Sequence, residues 1–320
     1  MEHIDGLGGV HGLGRRLKEN IGRVVVAKEE PVQLALAALL CRGHILIDDV
    51  PGVGKTTMAR TLAQSLNCSF GRLQFTADLM PSDILGIYYY NQKESEFQFR
   101  AGPIFVQILL ADEINRATPR TQAALLEAMQ EGQATVEGVT MPLPQPFIVV
   151  ATQNPVELEG TFPLPEAQLD RFMLRIKLGY PTAEEESGIL LRFGDSKMTP
   201  VVDPVVEPEE LLEMQDEVGK VFVDESVRYY IIEVIQATRR HPLVDLGASP
   251  RAALALYKIA QAYAALTGRQ YVLPDDVKAV VLPVLAHRLI LNAQGRLRGG
   301  TAEQVIEEII ESVEVPVNDA

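Results

Sequence analysis

The sequence predicts a doubly wound, parallel α/β core with two β-hairpin insertions, followed by an all-helical domain. Three observations carry that expectation. Short apolar strands alternate with amphipathic helices through the first half of the 320-residue chain. The segment Ile45-Leu46-Ile47-Asp48-Asp49-Val50-Pro51-Gly52-Val53-Gly54-Lys55-Thr56-Thr57 runs from an apolar strand through a glycine-rich turn into a helix. Past Tyr180-Pro181 no long strand pattern returns, and helical spacing takes over. At 47% apolar content the chain can bury two cores, and a boundary near 182 divides it into a core, 1–182, and a helical part, 183–320.

Residues 31–41 are apolar, with proline in the first turn, and read as a helix feeding a strand at 44–47. A helix at 56–66 and a strand at 70–75 continue the alternation. Ile87-Tyr88-Tyr89-Tyr90, a polar turn at 91–94 and Glu96-Phe97-Gln98-Phe99-Arg100 read as an inserted hairpin. Its alternating aromatics suit one packed face, with contact to a client as the other reading. After an apolar strand ending in Asp112-Glu113, Thr118-Pro119 opens a helix that closes at Gly132. A second hairpin at 134–141 turns about Glu137-Gly138, and 147–151 is a buried strand. Thr182 and Glu185 form a capping box for the first of five helices, near 183–193, 208–219, 225–240, 250–267 and 275–290. Pro200, Pro204 and Pro208 mark a loop, Pro283 kinks or divides the fifth helix, and 302–313 is a final packing helix.

The turn at 49–57 has the chemistry of a phosphate-binding loop. Gly52 and Gly54 let successive backbone N–H groups point inward, and the helix starting near Thr56 adds its positive N-terminal end. Pro51, Gly52, Val53, Gly54, Lys55, Thr56 and Thr57 read as the binding segment for a nucleoside triphosphate. Lys55 reaches the β and γ phosphates, and the Thr56 hydroxyl takes one position on a Mg²⁺ that keeps several waters. The pattern G-x-x-x-x-G-K-[ST] departs at its first position, where Asp49 stands. Aspartate tolerates a left-handed backbone better than most residues, but its carboxylate must point away from phosphate.

Asp112 closes an apolar strand about fifty residues later, where it can hold Mg²⁺ directly or through water. Glu113, one residue on, can polarise the water that attacks the γ phosphate. Alone, such a pair reads first as a solvated strand end; a phosphate loop at this distance reverses that preference. A net charge of −14 and a pI near 4.9 argue against a broad nucleic-acid-binding face. Cys41 and Cys68 show no metal-ligand spacing and read as reduced, buried thiols. The absence of a long apolar run and of a signal-peptide centre predicts a cytoplasmic protein without a membrane span.

Further along, Leu110-Ala111-Asp112-Glu113-Ile114-Asn115-Arg116, Ala151-Thr152-Gln153-Asn154-Pro155 and Leu164-Pro165-Glu166-Ala167-Gln168-Leu169-Asp170-Arg171-Phe172 closely resemble MoxR-family AAA+ ATPases. Gly247-Ala248-Ser249-Pro250-Arg251-Ala252 and Tyr271-Val272-Leu273-Pro274-Asp275-Asp276-Val277 resemble that family's helical lid. The resemblance spans about residues 24–292 and implies an AAA+ αβα core with a lid. It implies that Asn154 is the sensor 1 group orienting the attacking water, though an Asn-Pro pair is also a common turn. It implies that Arg171 is an arginine finger entering a neighbouring subunit's site, the rival reading being an Asp170–Arg171 surface pair. Arg251 is similar to sensor 2, reaching the γ phosphate from the lid. ATP would then bridge the core and lid of one subunit and Arg171 of the next.

The resemblance also implies a homo-oligomeric ring, usually a hexamer, acting as a chaperone on proteins with von Willebrand factor A domains. Metal or cofactor insertion is one form that maturation would take. No Asp-x-Ser-x-Ser signature occurs here, so such a client would be a separate chain. The hairpins match the positions of the family's helix 2 insert and pre-sensor 1 insert. The alternatives are a metal-chelatase ATPase subunit, a helicase or clamp-loader type nucleic-acid motor, and a nucleotide-gated scaffold. The set Lys55, Asp112, Glu113, Asn154 and Arg171 argues against the last of these.

Overall fold

The structure is a computed structural model that describes residues 6–26, 28–154, 160–194 and 201–316. Pro155 and Pro200, both used in the sequence reading, lie outside the described residues. The core begins with α1 (Gly6–Gly22) and α2 (Glu29–Leu40), then β1 (Ile45–Asp48), α3 (Lys55–Ser65), β2 (Phe70–Gln74) and α4 (Pro81–Leu85). The first hairpin is β3 (Gly86–Asn91) and β4 (Glu96–Ala101), followed by β5 (Ile108–Asp112) and α5 (Pro119–Glu131). The second hairpin is β6 (Gln133–Val136) and β7 (Val139–Pro142), and β8 (Ile148–Gln153), α6 (Glu166–Leu169) and β9 (Leu174–Ile176) complete the core.

The five parallel strands run in the order β2-β5-β8-β1-β9. Both faces of the sheet are covered, which is why its three central strands, β1, β5 and β8, are apolar without alternation. Ile45, Ile47, Ile108, Leu110, Ile148 and Val150 face one cluster that continues into the helices of the second half. Leu46, Leu109, Ala111, Val149 and Ala151 face the other, formed with α5 and the hairpin bases. The carboxyl ends of β1, β5 and β8 therefore converge on one edge, the place where such sheets bind ligands.

The first hairpin carries Tyr88, Tyr90, Phe97 and Phe99 on one face, with Tyr89 on the other beside Gln98. Tyr88 and Phe99 are cross-strand partners with ring centroids 5.3 Å apart, and Phe99 meets Phe105 at 5.6 Å. Tyr90 and Phe97 pair at 5.4 Å nearer the tip and are exposed. In the second hairpin Glu137 and Gly138 both take positive φ, 50° and 83°, the geometry a two-residue turn needs.

The second half contains α7 (Ala183–Phe193), α8 (Pro208–Val218), α9 (Glu225–Arg240), α10 (Pro250–Leu266), α11 (Pro274–Leu285), α12 (Ala293–Leu297) and α13 (Ala302–Ser312). Thr182 Oγ1 accepts the Glu185 N–H at 3.3 Å and Glu185 answers at the Thr182 N–H, which fixes the start of α7. Two departures from the sequence reading have plain causes. A small antiparallel pair, β10 (Val244–Leu246) with β11 (Ile290–Leu291), interrupts the expected all-helical part. The helix expected to 290 ends at Leu285 because Pro283 removes a donor in its last turn, and a 3₁₀ turn, Ala286–Arg288, follows. Helix α1, which the sequence reading lacked, packs on α2 and α3 and also on α8 and α10. No helix among the described residues is long and apolar enough to cross a membrane.

Candidate active site

The phosphate loop connects the buried strand β1 to α3. Gly52 (φ 86°) and Gly54 (φ 94°) both occupy the left-handed region, and Gly54 is the residue that caps α3. A Cβ at either position would meet no atom within 4 Å, so glycine is required there by backbone conformation and the concave face is open. Lys55 and Thr56 open α3, so the first-turn N–H groups and the cationic side chain face the same concavity. Lys55 Nζ donates to the Asp49 carbonyl at 2.6 Å. Partial burial pulls the Lys55 ammonium below its ordinary pKa, opposed by the carboxylates of Asp112, Asp49, Glu113 and Asp48.

Asp49 does not adopt the left-handed backbone anticipated for it. Its carboxylate points away from the loop: Oδ2 accepts the backbone N–H groups of Leu178 and Gly179, both at 2.6 Å, and Oδ1 accepts that of Val50 at 2.8 Å. The aspartate thus ties the loop to the segment after β9, and the concavity keeps its positive character. The donor set fits a triphosphate.

Asp112 is buried at the end of β5. Thr152 Oγ1 donates to its Oδ1 at 2.7 Å, and Arg72 reaches its Oδ2 from Nη2 at 2.7 Å and from Nε at 3.2 Å. The same Thr152 oxygen accepts the Glu113 N–H at 2.9 Å. Glu113 has φ 57° and ψ 50°, a strained conformation for a side-chain-bearing residue. Its Oε2 accepts from Gln74 Nε2 at 2.7 Å and pairs with Arg116 Nε at 3.0 Å. Asn154 follows β8 on the same edge and is buried. Lys55, Asp112, Glu113 and Asn154 therefore gather at one end of the sheet. Arg72, Gln74, Arg116 and Thr152 escaped the sequence reading. The register of β2 on β5, which sets Gln74 beside Asp112, is the signal that places the first two.

Arg171 and Arg251 lie elsewhere. Arg171 precedes β9, whose entry is fixed by Met173 N–H donating to His44 O at 2.8 Å just before β1. Four residues of β1, about 13 Å of strand, separate that end from the loop. The rival Asp170–Arg171 pair does not form. Asp170 instead accepts from Arg288 Nε at 2.8 Å and from Ser249 Oγ at 3.0 Å. Ser249 caps α10, so this bond sets Arg251 beside Arg171, and both line one cavity of about 780 Å³. Neither guanidinium has a hydrogen-bonded or carboxylate partner among the described residues. Arg251 is thus not poised over the loop of its own chain, as the lid reading expected; the Asp170–Ser249 contact holds the start of α10 at the opposite edge of the sheet.

Residues 44–174 match the family described as the ATPase family associated with various cellular activities (AAA), and residues 236–309 match an AAA lid domain. Fold and site together define an AAA+ ATPase. The chain is 51% identical over 308 residues to YeaC, an uncharacterized protein of Bacillus subtilis (strain 168), covering 96% of each. It is 41% identical over 316 residues to Chaperone MoxR1 of Mycobacterium tuberculosis (strain ATCC 25618 / H37Rv), covering 96% of this chain and 83% of that one. A crystal structure of a candidate ATPase from Cytophaga hutchinsonii superposes with a TM-score of 0.89 at 40% identity, covering 97% of this chain and 98% of the other. The chain belongs to the MoxR family of AAA+ ATPases.

Proposed function

We propose that this ATPase works as a homo-oligomeric ring, a hexamer in the simplest case, with ATP and Mg²⁺ between subunits. The observation that carries the reading is the separation of charges. The phosphate loop and carboxylates occupy one end of the sheet, while Arg171 and Arg251 stand at the other with no carboxylate partner among the described residues. A head-to-tail assembly brings those two edges together and completes a site that no single chain holds.

In that composite site Lys55 and the backbone of 51–56 hold the phosphates, and Asn154 orients the attacking water. Glu113 takes the water's proton density once it leaves Gln74 or Arg116. Arg171 and Arg251, from the adjacent copy, neutralise charge on the transferred phosphoryl group. Mg²⁺, when bound, would be held by Thr56 and Asp112 and would supply charge neutralisation at the phosphate oxygens. The working units are a core, 1–182, and a lid, 183–320, whose relative angle responds to hydrolysis.

The work delivered is that of a chaperone on separate-chain clients with von Willebrand factor A domains in the cytoplasm, including clients that acquire a metal or cofactor. Glu113→Gln, held in ATP and used to capture partners from the native host, tests this. Recovery of a protein with such a domain supports the reading. Nuclease-sensitive recovery of nucleic acid alone would reassign the protein to the motor class, and a tetrapyrrole-binding partner would reassign it to the chelatase class.

A further inference from the structure

Helix α7 carries an exposed apolar run in its second half. Ile189, Leu190 and Leu191 follow one another, covering more than half the helix circumference, and Leu190 and Leu191 are 70% and 86% exposed. Its first turn is acidic, with Glu184 and Glu186 in solvent and Glu185 paired with Lys28 at 3.5 Å. This helix stands on the nucleotide edge, since it starts four residues after Gly179, whose N–H holds Asp49 of the phosphate loop.

The opposite edge carries a matching concavity. A groove of about 580 Å³ runs between α9 and α10, floored by Ile232, Ile235 and Ala253 and flanked by Arg228 and Arg239. Leu254, 62% exposed, and Tyr257 line both this groove and the cavity that holds Arg171 and Arg251. The groove is therefore continuous with the face that presents Arg171 and Arg251.

We propose that Leu190 and Leu191 of one copy occupy the α9–α10 groove of the next copy, with Glu184 and Glu186 toward Arg228 and Arg239. The occupant is a second copy because helix and groove lie on opposite edges of one chain, have complementary charge, and would mate in the same step that brings Arg171 to the neighbouring loop. The contact is heterologous, so it propagates around a ring. This inference rests on the head-to-tail reading above and gives it a specific latch.

The test uses the full chain with a non-hydrolysable ATP analogue, with mass measured by light scattering. Chains carrying Leu191→Cys are mixed with chains carrying Ile232→Cys and oxidised, with each alone and the parent, which has Cys41 and Cys68, as controls. Covalent two-chain species should appear only in the mixture. Leu190→Asp/Leu191→Asp, and separately Ile232→Asp, should raise the concentration for half-assembly at least about tenfold while leaving the monomer's circular dichroism unchanged. Full assembly without the mixed cross-link and without a shift in either variant overturns the latch and leaves the ring standing. Cross-linking of the Leu191→Cys chain to itself also overturns it. A parent that stays monomeric with the analogue overturns latch and ring together.

Discussion

Asp49, standing at the position where the usual phosphate-loop pattern has a glycine, accepts the backbone N–H of Gly179 at its Oδ2 at 2.6 Å. The same oxygen takes the N–H of Leu178, so one buried carboxylate joins the loop to the chain leaving the sheet. Asp49→Gly, although it restores the pattern, should cost about 2 to 4 kcal/mol by orphaning buried donors. Calorimetry should show a lower thermal midpoint, and a nucleotide titration should show affinity changed less than stability. An unchanged midpoint would contradict this role.

Glu113 is held by Gln74 and Arg116 at hydrogen-bonding distance, and in the role proposed for it above its carboxylate must give up a partner before polarising water. Gln74→Ala should raise basal turnover several-fold with little change in KM, since removing one hydrogen bond to a charged group is worth about 1.5 to 3 kcal/mol at most. A fall in turnover would show instead that Gln74 positions Glu113 for catalysis.

Asp170 anchors the segment that carries Arg171 by accepting from the buried Arg288 and from Ser249. Asp170→Ala should destabilise the chain by about 3 kcal/mol, because it leaves a buried guanidinium without its carboxylate. Asp170→Asn should retain part of that stability in urea unfolding, since it can still accept from one donor. Equal stability of all three chains would contradict the anchor.

His44 supplies a pH dependence. Its Nε2 donates to Met129 O at 2.9 Å, and its Nδ1 accepts the Val149 N–H at 3.0 Å, an arrangement open only to the neutral ring. Burial pushes its pKa down to about 4, and burial moves His287 in the same direction. The unfolded chain gains these protons near pH 6.5, but the folded chain gains that of His44 only near 4. Stability is therefore full above 6.5 and falls between 6.5 and 4, by about 3 kcal/mol for His44. His44→Gln should flatten the decline between pH 6.5 and 5 in urea titrations; an identical slope would remove His44 as its source.

The phosphate loop, the capped helices and both hairpins were legible because glycine turns, Pro and Thr starts and period-2 aromatics are local signals. Helix α1 was hidden by its glycines, although Val10, Leu13, Leu17 and Ile21 recur at helical spacing and are buried. β9 has only three residues, too few to show a period, and it appears because β1 offers it an edge. The companions of Asp112 and Glu113 come from other strands, so Arg72, Gln74 and Thr152 become visible only once register is known. Arg251 was recognisable as a residue, but the side it serves depends on Asp170 holding Ser249, a contact across 79 positions.

In the function proposed above, two copies complete each hydrolytic site. Arg171→Ala chains and Lys55→Ala chains, each inactive alone, should recover ATP hydrolysis when mixed under conditions where they co-assemble. In that mixture an intact loop meets an intact finger at one class of interface. The recovered rate should rise and then fall as the mixing ratio passes through equality. Co-assembled mixtures with no hydrolysis above either parent would rule out a site shared between two copies.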